Sequence, residues 1–158
     1  MIRRLLVEGD PDRWSAETEI LLFTAARRDH LESTIQPALE SGKIVISDRF
    51  ADSTRVYQGA ARGDLRHLVD ELHSMVIGRE PDLTIVIDME PTEALKRGLA
   101  RNSGEDRFEE MGLDFQNRLR AGFRDLASEA TDRVILIEGN REEGQIASEI
   151  LNQVLARL

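Results

Sequence analysis

Lys43-Ile44-Val45-Ile46-Ser47-Asp48-Arg49-Phe50-Ala51-Asp52-Ser53-Thr54-Arg55-Val56-Tyr57, with Gln58-Gly59 behind it, carries the densest signal in this chain. Ile44, Val45 and Ile46 form a short apolar run between Gly42 and charge. Such a run predicts a strand buried on both faces. It ends in an acid and a guanidinium, Asp48 and Arg49. Ligands of open parallel sheets bind at the carboxyl ends of strands, so this pair marks a candidate site on its chemistry alone. The plain alternative for Asp48 is the cap of a turn.

On the N-terminal side, Ser15 is placed to cap a helix from Ala16 to about Gln36, with Glu17 and Glu19 in the first turn, where they suit the dipole. Ile20–Ala26 is apolar almost all round, which predicts cover on more than one side, by the sheet and by a second subunit. Phe23 and Arg27 are four apart and share a face. Pro37 kinks this helix or starts a short one that stops at Gly42. On the C-terminal side, Asp52-Ser53-Thr54 is expected to cap a helical turn, and Gly59 and Gly63 to frame a loop. Leu65, Leu68, Val69, Leu72, Met75 and Val76 repeat at helical spacing up to Gly78. Leu83–Asp88 predicts a second buried strand, again ending in an acid. Pro91 suits a first helical position, and Asn102-Ser103-Gly104-Glu105 breaks that helix. Phe115, Leu119, Phe123 and Leu126 lie on one stripe. Val134–Ile137 predicts a third buried strand; Ile146, Ile150, Leu151, Val154 and Leu155 predict a closing helix. This alternation means α/β with a mostly parallel sheet.

At 158 residues, with 41% hydrophobic and 32% charged side chains, the chain fits one soluble domain. A formal net charge of -9 argues against broad binding to nucleic acid or anionic membrane, yet leaves room for a small anion among local arginines. With no cysteine there is no disulfide framework and no thiolate metal site, which is compatible with a reducing cytosol. No apolar run reaches membrane-spanning length, and Met1-Ile2-Arg3-Arg4 does not open a signal peptide. Val7-Glu8-Gly9-Asp10 looks like the start of a phosphate-binding loop, but Asp10-Pro11-Asp12-Arg13 is turn chemistry. Gly-x-x-x-x-Gly-Lys-Ser/Thr occurs nowhere in the sequence. His30, His67 and His73 show no metal-ligand spacing and are expected at the surface. There is no Ser-His-Asp or glycosidase pattern.

Arg27, Arg49, Arg97, Arg101 and Arg107 fall near element ends or loops. A guanidinium grips phosphate as a planar fork; a solvated surface charge is the default for any single arginine. For Arg97 and Arg101 the two readings weigh the same. For Arg49, directly after the predicted strand, function is favoured. Phe23 is a candidate platform for a base, against the plain reading of a core aromatic. Tyr57 offers a hydroxyl to a sugar or packs at a subunit edge.

Phe23-x-x-x-Arg27, Ser47-Asp48-Arg49-Phe50, Asp52-Ser53-Thr54-x-x-Tyr57-Gln58-Gly59, Pro81-Asp82-Leu83-Thr84 and Asp106-Arg107-Phe108-Glu109 together resemble thymidylate kinase, in the family's order and approximate spacing. The resemblance implies a three-layer, P-loop-kinase-like parallel sheet flanked by helices, a single domain over 1–158, and a lid at about 97–107. It implies transfer of a phosphoryl group from ATP to dTMP with Mg²⁺, in a cytoplasmic homodimer. By the same resemblance Phe23 supports the thymine ring and Arg27 reaches the base edge. Arg49 holds the monophosphate, with Asp48 orienting it and the metal-water shell. Thr54 contacts the base, Tyr57 crowds the 2′ position and Gln58 lies near the nucleoside. Arg101 meets the transferring group, with Arg97 and Arg107 as alternatives. The family's N-terminal strand–P-loop–helix and second strand have no counterpart in these residues. The expectation is therefore a chain inactive by itself, with a non-catalytic dTMP-binding, dimerising module or a rearranged fragment as alternatives. Ile44–Ser47 and Leu83–Asp88 are then short of a neighbouring strand.

Overall fold

A computed structural model describes Ile2, Leu5 and residues 13–61, 63–101 and 111–158, with the backbone alone for 99–101. Val7–Asp10, the helix break at Asn102–Glu105 and the Asp106–Glu109 motif lie outside the described residues. The chain forms two compact units, Met1–Glu80 and Pro81–Leu158.

In the first unit, α1 (Ala16–His30) starts as expected, with Ser15 Oγ accepting the Thr18 N–H at 3.2 Å. The helix then widens into π-type turns at Leu31–Ile35 and continues as α2 (Gln36–Glu40). Pro37 lies in the first turn of α2, and a proline has no N–H to close an ordinary helical turn behind it. Gly42, at φ 75, ends the run. Within the single chain α1 is covered on one side only. Ile20 is fully buried, but Leu21 is 56% exposed.

The run at Ile44–Ile46 is not a buried strand. It belongs to no helix and to no sheet among the described residues. Ile44 and Ile46 are 66% and 94% exposed. Only Val45 turns inward, against the core of Leu31, Ile35 and Ile77. Composition prescribes a strand here, and without a paired neighbour the two isoleucines have nothing to cover them.

Next come α3 (Ala51–Thr54), a π-type stretch over Arg55–Ala60, and α4 (Arg66–Leu72), which widens again at His73–Ile77. The helical stretch runs through Gly59 to Ala60, one residue past its expected end at about Gly59, and Ala61 lies in the expected loop. Asp52 is not a cap; it lies inside α3, and its carboxylate turns to Arg55. Gly78, at φ 63, ends the last helix and donates its N–H to His73 O at 2.8 Å.

In the second unit, β1 (Thr84–Asp88) and β2 (Val134–Glu138) pair in parallel, Thr84 opposite Val134 and Asp88 opposite Glu138. Parallel neighbours need a long crossover, here α5 (Pro91–Arg101) and α6 (Gly112–Glu129). Of the expected stripe of α6, Phe115, Leu119 and Leu126 are buried and Phe123 is half-buried. α7 (Glu143–Leu155) closes the chain with Ile146 inward and Leu151 and Leu155 exposed. The strands are less covered than expected. Ile87 is 50% and Leu136 40% exposed; they lie on opposite faces of the pair, and a sheet of two strands leaves one edge of each strand without a neighbour.

Gly139 locks the end of this sheet. Its N–H donates to Asp88 O at 2.7 Å, and an added Cβ would sit 2.8 Å from Ile87 Cγ2 and 2.9 Å from Asp88 O. Gly139→Ala is therefore expected to destabilise the fold by about 1–3 kcal/mol, the usual cost of overpacking. Denaturant unfolding checks this; an unchanged midpoint would mean that the backbone gives way freely.

Candidate active site

Glu19, Phe23 and Arg27 recur every fourth residue of α1 and so form one stripe. Thr54 and Gln58, also four apart, face it. Arg27 Nη2 donates to Thr54 Oγ1 at 2.6 Å and to Phe50 O at 3.4 Å. Gln58 Nε2 donates to Glu19 Oε2 at 3.1 Å. Two polar rungs thus join the segments, with the partly buried Phe23 one turn from each along α1. Arg27 is buried, and its guanidinium lies 5.4 Å from the Phe50 ring. Burial, then repulsion by Arg55, lowers its pKa to about 10 against the pull of Asp52 and Glu80. The group stays charged at neutral pH.

Asp48 and Arg49 are both exposed. Arg49 is the only non-glycine among the described residues at positive φ, 70°. A bulky residue rarely adopts that conformation, and such outliers gather at functional sites. Its guanidinium lies 4.9 Å from the ring of Tyr57. Phe23, Arg27, Arg49, Thr54, Tyr57 and Gln58 all lie in the first unit. Arg97 is exposed on α5 in the second, Arg101 ends that helix with its side chain undescribed, and Arg107 is outside the described residues.

A charged cluster absent from the expectations lies behind these residues. Arg55 is buried, donating from Nε to Asp70 at 2.7 Å and from Nη1 to Asp52 at 2.8 Å. Glu80 takes the fork from Nη1 at 3.0 Å and Nη2 at 2.5 Å. Burial alone would lower the Arg55 pKa, but hydrogen bonds to Glu80, Asp70 and Asp52 raise it above its ordinary value. His73 is the correction among the histidines. It is 5% exposed, edge-on to Phe50 at 6.3 Å, with Nε2 3.1 Å from Glu80 Oε1 but poorly aligned for a hydrogen bond. A charged partner inside the unit lets it leave the surface. His67 stays exposed beside Glu71. The signals that existed were the i, i+3 spacing of Asp52 and Arg55 and the position of Glu19 one turn before Phe23.

In the second unit the acid that ends β1 is clamped. Asp88 accepts from Arg120 Nε at 2.7 Å and from Arg124 Nη2 at 2.6 Å. The Arg120 bond, then that of Arg124, outweighs burial and holds this carboxyl below its ordinary range. Arg120 also pairs with Glu90. These bonds tie α6 to the end of the strand.

The sequence profile of thymidylate kinase matches residues 1–150. The chain belongs to the thymidylate kinase family. It is 73% identical over 150 residues to the thymidylate kinase of Dinoroseobacter shibae, covering 95% of this chain and 72% of that protein. It is 61% identical over 157 residues to that of Ruegeria pomeroyi, covering 99% and 74%. The crystal structure of thymidylate kinase from Ehrlichia chaffeensis superposes with a TM-score of 0.72 at 31% identity, covering 97% of this chain and 71% of that one. The fold is thus that of a thymidylate kinase, helix-rich α/β with a small parallel sheet. No described helix is long and apolar enough to cross a membrane.

Glu80 supplies a pH test of the cluster. Burial works to raise its pKa, but contacts with His73 and Arg55 hold it well below the ordinary range. A carboxylate depressed in the fold stabilises it above the unfolded pKa, roughly 4.3, and loses that contribution as pH falls toward the folded value. Glu80→Gln is expected to lower stability at pH 7 and to lose less of it on acidification. Unfolding midpoints at pH 7 and pH 3.5 check this; parallel losses in both proteins would refute it.

Proposed function

We propose that the first unit is the acceptor half of a thymidylate kinase and holds dTMP. The Arg27–Thr54 bond, beside Phe23 on one helix face, carries this reading. In it the thymine ring lies on Phe23 and the unused N–H groups of the Arg27 fork reach the base edge. Arg49 grips the monophosphate, its guanidinium held against Tyr57, which crowds the 2′ position. Asp48 orients Arg49 and is an exposed carboxylate of the kind that holds Mg²⁺ through water. Mg²⁺ would neutralise charge between the phosphates of ATP and dTMP.

The family chemistry is transfer of the ATP γ-phosphoryl group to dTMP. It needs positioning and charge stabilisation more than covalent work. Arg101, with Arg97 and Arg107 as alternatives, would meet the transferring group from a lid at about 97–107 within one 1–158 kinase domain. These residues hold no Gly-x-x-x-x-Gly-Lys-Ser/Thr to cradle ATP, so by themselves they bind dTMP without turning it over. The exposed apolar side of α1 around Leu21 suits a homodimer, and the absence of cysteine suits the cytoplasm.

Calorimetry with dTMP is expected to show saturable binding. Phe23→Ala and Arg49→Ala should each weaken it, the former by about 1–3 kcal/mol if the ring carries the base. Binding indifferent to both changes would remove the site assignment. A coupled ADP-release assay should show no turnover; turnover above the blank would overturn the binding-only reading. A rearranged fragment with no ligand is the second reading, favoured by the unpaired, exposed Ile44 and Ile46, and absence of dTMP binding would support it.

A further inference from the structure

Glu19 is 0% exposed, one helical turn before Phe23, and no role described so far uses it. Its partner Gln58 is 1% exposed and donates to it through Nε2 at 3.1 Å. A carboxylate offers acceptors only, so the amide end turned toward it must be the NH₂. The other end, Oε1, is then fixed as an acceptor. Arg27, two turns along the same stripe, is a donor only.

We propose that Glu19 is a positioning residue for base specificity: by fixing the Gln58 amide it makes the site select a base with a keto oxygen beside a ring N–H over one with an amino group beside a bare ring nitrogen. The inference rests on the dTMP reading. Arg27 and Gln58 then present a donor and an acceptor on either side of Phe23. Thymine offers the complementary pair, O4 and N3–H. Cytosine offers the reverse, an N4 amino group against Arg27 and an unprotonated N3 against Gln58 Oε1. At a buried site the mismatch leaves polar groups unpaired, the situation in which hydrogen-bond discrimination is steep.

The test compares dTMP and dCMP by calorimetry on the unaltered chain and on Glu19→Gln, a near-isosteric change that offers both a donor and an acceptor and so frees the Gln58 amide to flip. The unaltered chain should prefer dTMP by about 100-fold or more, and Glu19→Gln should cut that preference at least about tenfold. A structural role alone would weaken both nucleotides equally; an unchanged ratio overturns the proposal. N3-methyl-dTMP on the unaltered chain decides the matter if the variant does not fold. A loss of about tenfold or more is expected from removing the N3–H, and binding equal to dTMP refutes the proposal. Saturable dTMP binding with an unchanged ratio sinks this inference alone; no dTMP binding by the unaltered chain sinks the dTMP reading and this inference with it.

Discussion

The first unit is held by one buried cation. Arg55 sits inside the protein, where an unpaired guanidinium would cost several kcal/mol. It is tolerated because Asp52, Asp70 and Glu80 saturate its fork from a neighbouring turn, from α4 and from the end of the unit. Such a cluster adds little net stability over an apolar core but fixes geometry, since every member needs the others in place. The helical stretch from Ala51 to Ala60 is thereby held, and Thr54 and Gln58 with it.

Thr54 and Gln58 then meet α1 through two hydrogen bonds of different character. One joins a buried cation to a hydroxyl, the other an amide to a buried carboxylate. The -9 net charge of the chain says nothing of this. An acidic protein can still build a cationic spot by burying one arginine and exposing another. Arg27 is buried against the Phe50 ring and Arg49 lies exposed against Tyr57.

Much of this was readable beforehand because it depends on local chemistry. The Ser15 cap, the Gly42 and Gly78 stops, the Pro91 start and the α6 stripe follow from backbone rules that act over a few residues. The pairing of Arg27 with Thr54 was not readable, because residues 27 apart meet only through packing. Burial of His73 and Glu19 was missed for a related reason: a polar residue type predicts exposure unless its partner is known. Ile44–Ile46 failed in the opposite sense. The residues prescribe a strand, but a strand is a relation between two segments, and apolar composition specifies only one of them.

Arg49 places two requirements on one residue. The chain turns there through a left-handed conformation that a residue without a side chain would adopt at no steric cost. The neighbouring aromatic ring and the exposed mouth of the segment call instead for a long, cationic side chain. Glycine would relax the main chain and leave the mouth without its cation. In the proposed reading, ease of folding and grip on the monophosphate pull against each other at this position, and the residue present sides with grip.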